Sequence, residues 1–127
     1  MANGAAALAD SGLGVEWHQT DDGHWRSLMN LDLRDPDLDD EGVYVIWHGG
    51  QEPAVVYVGS GNIAERLRAH LSEGRIMLYA GLGLGVTWAA VPSEQQRGVE
   101  RFLVEQLDPA AGGRYPNDEP VTVNLPW

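Results

Sequence analysis

The sequence contains no cysteine and no lysine, and both absences limit the chemistry open to it. Without cysteine the chain has no disulfide bond, no thiolate metal site and no thiol nucleophile. Any metal ion must therefore be held by carboxylates, histidines or backbone oxygens. All eight cationic side chains are arginines, which suit two-pronged contacts to phosphate, although the coding bias of a GC-rich genome is the simpler explanation.

The sequence also lacks any apolar run close to the roughly 18 residues that a membrane span requires. Its alanine-rich start carries no basic region of the kind that opens a secretory signal. A length of 127 residues fits one domain with a moderate core. We therefore expect a soluble, cytoplasmic protein without membrane contacts, present as a monomer or a weak homodimer.

The formal net charge of −11 argues at first against a nucleic-acid partner, since such proteins usually carry a basic surface. The acidity is concentrated near the N-terminus. Residues 1–41 hold ten of the nineteen acidic side chains and two arginines, a net charge of −8. Residues 42–127 carry only −3, so the composition of that part does not exclude a phosphate-binding site.

Composition divides the chain into three parts. Residues 1–12 are small and polar and are predicted to be a disordered tail. Residues 13–41 form an acidic N-terminal extension, and residues 42–127 hold the informative patterns of the main domain. Two apolar stretches of the extension provide either an extra strand or short packed segments, and these are 15–17 and 25–33.

Two β-branched, aromatic runs at 42–47 and 54–59 predict a β-hairpin. A turn at the centre of the connecting segment places Tyr44 directly opposite Tyr57 on one face of the sheet. Two phenols would then stand side by side. The alternative is that this tyrosine pair is ordinary sheet packing.

Residues 62–71 predict a helix that opens with Asn62 as its N-cap and Glu65 three positions later. Its buried stripe consists of apolar residues at helical spacing, namely Ile63, Leu67 and Leu71. Arg66 and His70 are four positions apart, so they share a side of this helix beside that stripe, where both can overhang the tyrosine pair. The alternative is a solvated arginine and a boundary histidine with locally satisfied hydrogen bonds.

A second helix is predicted from a capping box at Ser93 and Gln96 to a stop at 108–109. Its apolar stripe consists of Val99, Phe102, Leu103 and Leu107. Glu100 lies one position round from that stripe, so its carboxylate can face a cleft beside the core. Taken alone, a glutamate in this position is more often a surface residue.

A third strand is predicted at 85–91, between the two helices and after a glycine-rich linker at 74–84. The resulting order is strand, strand, helix, linker, strand, helix. This order predicts an α+β domain with a small three-stranded antiparallel sheet flanked by helices.

Taken in order, these motifs resemble the signature of the GIY-YIG nucleases. That signature is a hairpin with Gly-Ile/Val-Tyr and then Tyr-Ile/Val-Gly, a helix with an arginine and often a histidine, a glutamate on a later helix, and an asparagine near the end. The matching residues are Gly42, Val43, Tyr44, Tyr57, Val58, Gly59, Arg66, His70, Glu100 and Asn124. The resemblance covers 42–127, about two thirds of the chain. The acidic extension and the glycine-rich linker depart from it.

The resemblance implies a GIY-YIG endonuclease fold and metal-dependent hydrolysis of phosphodiester bonds in nucleic acid, with DNA favoured over RNA. It implies that Glu100 holds a single, weakly bound Mg²⁺ or Mn²⁺ ion. Arg66 would brace the phosphate, and Tyr44 would be the general base or its relay. Tyr57 and His70 would orient the water and the phosphate. The remaining residues assigned to substrate binding are Gly59, Ser60, Arg68 and Asn124, of which the last would mainly fix the C-terminal segment against the site.

Two other classes of function remain open at this point. One is a GIY-YIG fold that has lost catalysis and binds nucleic acid or protein, although the retained signature residues count against it. The other is a small α+β interaction protein with a coincidental match, in which Arg66 and Glu100 would lie far apart. Separately, the acidic segment 35–41 is hypothesised to compete with nucleic acid for the cleft or to dock on a basic protein partner. Removing residues 1–41 would then raise DNA affinity.

Overall fold

The fold is that of a computed structural model, which describes residues 12–111 and 115–127. The predicted tail at 1–12 lies outside the described residues except for Gly12. The strands are β1 (Arg26–Ser27), β2 (Glu41–His48), β3 (Ala54–Asn62) and β4 (Leu84–Ala90). The helices are α1 (Ile63–His70), α2 (Gly74–Met77) and α3 (Ser93–Leu107). Three 3-10 turns lie at Leu28–Asn30, Pro36–Leu38 and Ala80–Leu82.

The described strands form one antiparallel sheet in the order β1-β4-β2-β3. The α+β class is confirmed, but the prediction of three strands is wrong. The fourth strand is the two-residue β1, in which Arg26 pairs with Val86 and Ser27 pairs with Gly85. This strand lies within 25–33, a stretch of the acidic extension for which the sequence predicts either an extra strand or a packed segment, and it is too short to produce a periodic pattern.

The sheet is covered on both faces, which explains why β2 has an apolar run instead of alternating residues. Residues 43–46 are fully buried. Their even-numbered side chains pack in the same cluster as Leu67 of α1, and their odd-numbered side chains pack with Val99 of α3. The two helices therefore lie on opposite faces of the sheet.

The register of the β2-β3 hairpin differs from the predicted one. Ile46 pairs with Tyr57, and Tyr44 pairs with Gly59. The turn and a bulge at Val56 each shift the pairing by one residue. Side chains on a strand alternate between the two faces, so residues two positions apart share a face. Tyr57 is two positions from Gly59, the partner of Tyr44, and both tyrosines therefore lie on one face. Their ring centroids are 6.3 Å apart, so the shared face was predicted correctly although the direct pairing was wrong.

The N-cap predicted for α1 is confirmed, since Asn62 Oδ1 accepts a hydrogen bond from the Glu65 amide at 3.0 Å. The capping box predicted for α3 is wrong. Pro92 is the N-cap and Ser93 is already helical, so its hydroxyl is not placed to cap the first turn. The helix ends as predicted, with Asp108 in the left-handed region at φ 46°. None of the described helices is long and apolar enough to cross a membrane.

The acidic extension packs against both faces of the sheet. Val15 lies in the core on the α3 side, and Leu28 lies in the core on the α1 side. Removing residues 1–41 would therefore expose both cores and delete β1. The hypothesis that segment 35–41 competes with nucleic acid must instead be tested by replacing its aspartates with asparagines in the intact chain.

Candidate active site

Five of the predicted site residues line one cleft of about 270 Å³ at the outer edge of β3. Because β3 is an edge strand, side chains from α1 and α3 can meet there although these helices cover opposite faces. The residues that line the cleft are Tyr57, Gly59, Ser60, Arg66, Arg97, Glu100, Tyr115 and Pro116. Two larger hollows, of about 630 Å³ and 550 Å³, contain none of the predicted site residues.

Glu100 of α3 presents a nearly buried carboxylate to the cleft, with 7% of the residue exposed. Its Oε1 accepts a hydrogen bond of 2.7 Å from the Ser60 hydroxyl on β3. Among the described residues, no arginine lies within salt-bridge distance of this carboxylate. Burial raises its pKa, and the bond from Ser60 and the more distant charge of Arg66 oppose that rise only in part. Within the described ranges 12–111 and 115–127, this carboxylate thus has no ion-pair partner.

Arg66 extends from the first turns of α1 into the same cleft. The phenol oxygen of Tyr44, and then that of Tyr57, raise the pKa of Arg66. The guanidinium therefore lies beside both tyrosine hydroxyls and stays cationic. The structure brings together Arg66, Tyr57 and Glu100, as the sequence pattern predicts.

Tyr44 is fully buried and does not itself line the cleft. Its hydroxyl lies 2.5 Å from Nε2 of the buried His70, the last residue of α1. The other ring nitrogen, Nδ1, lies 2.5 Å from Oε1 of Glu73, which sequence reasoning missed. Burial raises the pKa of Tyr44, and it lowers the pKa of His70. The phenol and the imidazole are therefore both neutral near pH 7.

Gly59 connects Tyr44 to the cleft. A Cβ atom at this position would lie 2.2 Å from Tyr44 Oη and 2.4 Å from Cζ, so the phenol occupies the space that a side chain would need. Gly59 also lines the cleft. The Tyr44 hydroxyl thus lies directly against the backbone of a residue that lines the cleft. Gly59 thus allows this close approach, and its contact with substrate stays a prediction.

The variant Gly59→Ala should be less stable than the wild type. The added methyl group must displace a buried ring that is hydrogen-bonded to His70, and such overpacking typically costs about 1–3 kcal/mol. Gly81→Ala is the matched control, because a Cβ atom there meets nothing within 4 Å. Thermal unfolding of both variants measures the effect. A Gly59→Ala protein as stable as the control would contradict this account of Tyr44.

Two residues assigned to substrate binding lie elsewhere. Arg68 is two positions beyond Arg66, about 200° round the helix, and it does not line the cleft. Asn124 is buried against the acidic extension, where its Oδ1 accepts from the Val15 amide at 2.8 Å and its Nδ2 donates to the Val15 carbonyl at 3.0 Å. Asn124 therefore ties the C-terminal segment to the start of the extension, and it is not among the residues that line the cleft.

Arg97 lines the cleft and was missed by sequence reasoning. It lies one helical turn before Glu100 on α3, so helical spacing from the predicted glutamate could have identified it. Its Nε donates to Asp118 at 3.1 Å at the surface. The cleft thus has a second guanidinium group, contributed by the helix that carries the carboxylate.

Tyr115 was also missed, because it lies in the segment after α3, where no periodic pattern predicts its position. Its hydroxyl donates to the Ala111 carbonyl at 3.0 Å, and its ring centroid lies 5.7 Å from that of Tyr57. Burial raises the pKa of Tyr115 to about 12. The ring therefore forms a neutral wall of the cleft.

Comparisons with protein-family models, with curated proteins and with solved structures found no match to the chain.

Proposed function

We propose that the chain is a metal-dependent endonuclease of the GIY-YIG type that hydrolyses phosphodiester bonds in nucleic acid, with DNA as the favoured substrate. The observation that supports this most is that Arg66 of α1 and Glu100 of α3 line one cleft with Tyr57. A coincidental match to the signature gives no reason for residues from opposite faces of the sheet to meet. A binding module that had lost catalysis would have no need to keep all three.

Hydrolysis of a phosphodiester requires cationic groups around the phosphate and a group that takes a proton from the attacking water. Arg66 and Arg97 present guanidinium groups to the cleft from two different helices. A guanidinium is planar and can contact two phosphate oxygens at once. These two side chains are the proposed phosphate contacts.

Tyr44 is the proposed acceptor of the water proton, because its hydroxyl lies against the backbone of the cleft residue Gly59. A free phenolate is unfavourable there, because burial raises the pKa of Tyr44. His70 removes this difficulty, since Tyr44 can pass its own proton to Nε2 while it takes one from water. Tyr44 then acts as a relay and stays neutral throughout.

The Glu100 carboxylate fits a hard divalent cation such as Mg²⁺ or Mn²⁺. It faces the cleft, its pKa is raised by burial, and a bound cation would neutralise its negative charge there. In the part of the chain that the structure describes, no group of three or more histidines and acidic residues is placed to hold a metal. Water and phosphate oxygens would therefore complete the coordination shell. When bound, the ion would neutralise phosphate charge and stabilise the departing oxygen.

Nicking should be lost as the pH falls through the pKa of His70. Burial holds this pKa below the usual 6.5, so Nε2 is free to accept a proton at neutral pH and becomes protonated only at lower pH. The rate should therefore have an acid limb below pH 6.5. Initial nicking rates from about pH 8 to about pH 5 measure this limb. Its midpoint should match the His70 pKa measured by NMR, and a midpoint that differs would assign the limb to another group.

The proposed function is tested by incubating the full chain with supercoiled plasmid, single-stranded DNA and RNA at low salt with Mg²⁺ or Mn²⁺. We expect nicked circles, no product in EDTA, and a rate that falls steeply with added salt because phosphate contacts are screened. If all three substrates stay intact under these conditions, the chain is not a nuclease of this type.

A further inference from the structure

Glu73 lies at the junction of α1 and α2, where its carboxylate bridges two partners. Oε1 contacts Nδ1 of His70, and Oε2 accepts from Arg75 Nε at 3.1 Å. The tight turn after α1 brings it there, since the Glu73 amide donates to the His70 carbonyl at 3.0 Å. The Arg75 guanidinium in turn lies 5.3 Å from the centre of the Tyr57 ring. Each oxygen of the Glu73 carboxylate thus has its own hydrogen-bond partner.

These contacts fix the position of the proton on His70. An ionised carboxylate can only accept a hydrogen bond, so the nitrogen that faces Glu73 must carry the proton. A neutral imidazole carries one proton, which leaves Nε2 as an acceptor for the Tyr44 hydroxyl. Although burial acts to raise it, the pKa of Glu73 is lowered overall by the bonds from His70 and Arg75, which keeps the carboxylate ionised.

We propose that Glu73 is a positioning residue that holds His70 in the tautomer able to accept the Tyr44 proton. In the proposed relay, water gives a proton to Tyr44 Oη as the Tyr44 proton moves to His70 Nε2. The products are hydroxide attacking phosphorus, an unchanged phenol, and an imidazolium whose charge faces the Glu73 carboxylate. This catalytic consequence rests on the proposed nuclease function, whereas the tautomer is a property of the protein alone.

The proton on His70 is also influenced by groups from each element packed against the ring. The titratable and charged groups that face it are Tyr44 from β2, Tyr57 from β3, Arg66 from α1, and Glu73 and Arg75 at α2. Both arginines disfavour a second proton on the ring, while Glu73 favours one. Glu73 is therefore the group that makes the imidazolium accessible during the relay.

The test is long-range ¹H-¹⁵N NMR of the full ¹⁵N-labelled chain at neutral pH, without metal or nucleic acid. Only four histidines are present, and the His70 ring is assigned through its backbone. In the wild type we expect the proton on Nδ1 and none on Nε2. In Glu73→Ala the proton should move largely to Nε2, where it points at Tyr44, and nicking should fall about tenfold to a hundredfold. Glu73→Gln, whose amide oxygen can still accept from Nδ1, should keep the wild-type tautomer and restore most of the nicking.

Glu65→Ala is the matched control, because it removes an exposed carboxylate from α1 without touching the His70 ring. It should leave tautomer and rate unchanged. A wild-type His70 protonated on Nε2, or the same tautomer in wild type and Glu73→Ala, would overturn the inference. A Glu73→Ala protein with a changed His70 tautomer but the full nicking rate would also overturn the inference. If the wild type cleaves nothing but His70 has the expected tautomers, the nuclease proposal fails while the role of Glu73 in orienting the ring stands.

Discussion

Replacing Glu100 with glutamine will abolish nicking while making the metal-free chain more stable. Glutamine has the same shape as glutamate, and its amide oxygen can still accept the hydrogen bond from Ser60. The packing is therefore kept and only the charge is removed. A bound metal contributes several kcal/mol of transition-state stabilisation, so its loss corresponds to a rate lower by about a thousandfold or more.

The gain in stability follows from the raised pKa of Glu100. Burial places the folded-state pKa above the usual 4.5, so in the interval between these values the folded state holds a proton that the unfolded state has released. Stability therefore falls as the pH rises through that interval, and the loss persists at neutral pH. Glutamine carries no charge at any pH and avoids the loss. Thermal unfolding in EDTA, followed by the signal of the five tryptophans, measures the difference.

Glu94→Gln is the matched control for this prediction. It removes the same charge from the same helix at an exposed position, where its carboxylate has only a long contact of 3.4 Å to Ser93. The control should nick at the wild-type rate and gain no thermal stability, since Glu94 lies in the first turn of α3, where a negative charge favours the helix. A Glu100→Gln protein that still nicks would contradict the metal role of the carboxylate. One that unfolds at a lower temperature than the wild type in EDTA would contradict the stability cost ascribed to its burial.

Replacing Arg66 with lysine or with alanine will reduce the nicking rate, and lysine will rescue little of it. Removing one preorganised donor from a reaction centre costs about 10²–10³ in rate. Lysine keeps the charge but cannot contact two phosphate oxygens with a planar fork.

Arg68→Ala tests whether this effect belongs to the cleft or to net charge. Both arginines lie on α1, but Arg68 lies outside the cleft lining. Its removal should change the nicking rate by no more than a few-fold, as expected for a screened contact to nucleic acid. Equal losses in Arg66→Ala and Arg68→Ala would assign the effect to general electrostatics. Full activity in Arg66→Lys would rule out a two-pronged phosphate contact.

The part of the site that could be predicted from sequence rests on local periodicity. Arg66 and His70 share a helix side because they are four positions apart, and Glu100 follows the same rule relative to Val99. The tyrosines share a face because strand side chains alternate, so the prediction of the face tolerated an error of two positions in the register. None of these inferences required knowledge of which distant segments of the chain contact each other.

The remaining features depend on contacts between distant segments, which leave no period in the sequence. The two-residue strand β1 is defined by its pairing to β4, and Asn124 is positioned by the backbone of Val15 near the other end of the chain. Glu73 lies just beyond α1, where helical spacing no longer applies. Its contact with His70 depends on the tight turn that follows the helix. The roles of such residues can be identified only once the tertiary contacts are known.

The measurement that tests the nuclease account most directly is relaxation of supercoiled plasmid at low salt with Mg²⁺ or Mn²⁺, comparing wild type, Glu100→Gln and Glu94→Gln. The account predicts nicked circles with the wild type and with Glu94→Gln, and none with Glu100→Gln or in EDTA. Intact plasmid in every lane, or equal nicking by all three proteins, would contradict it.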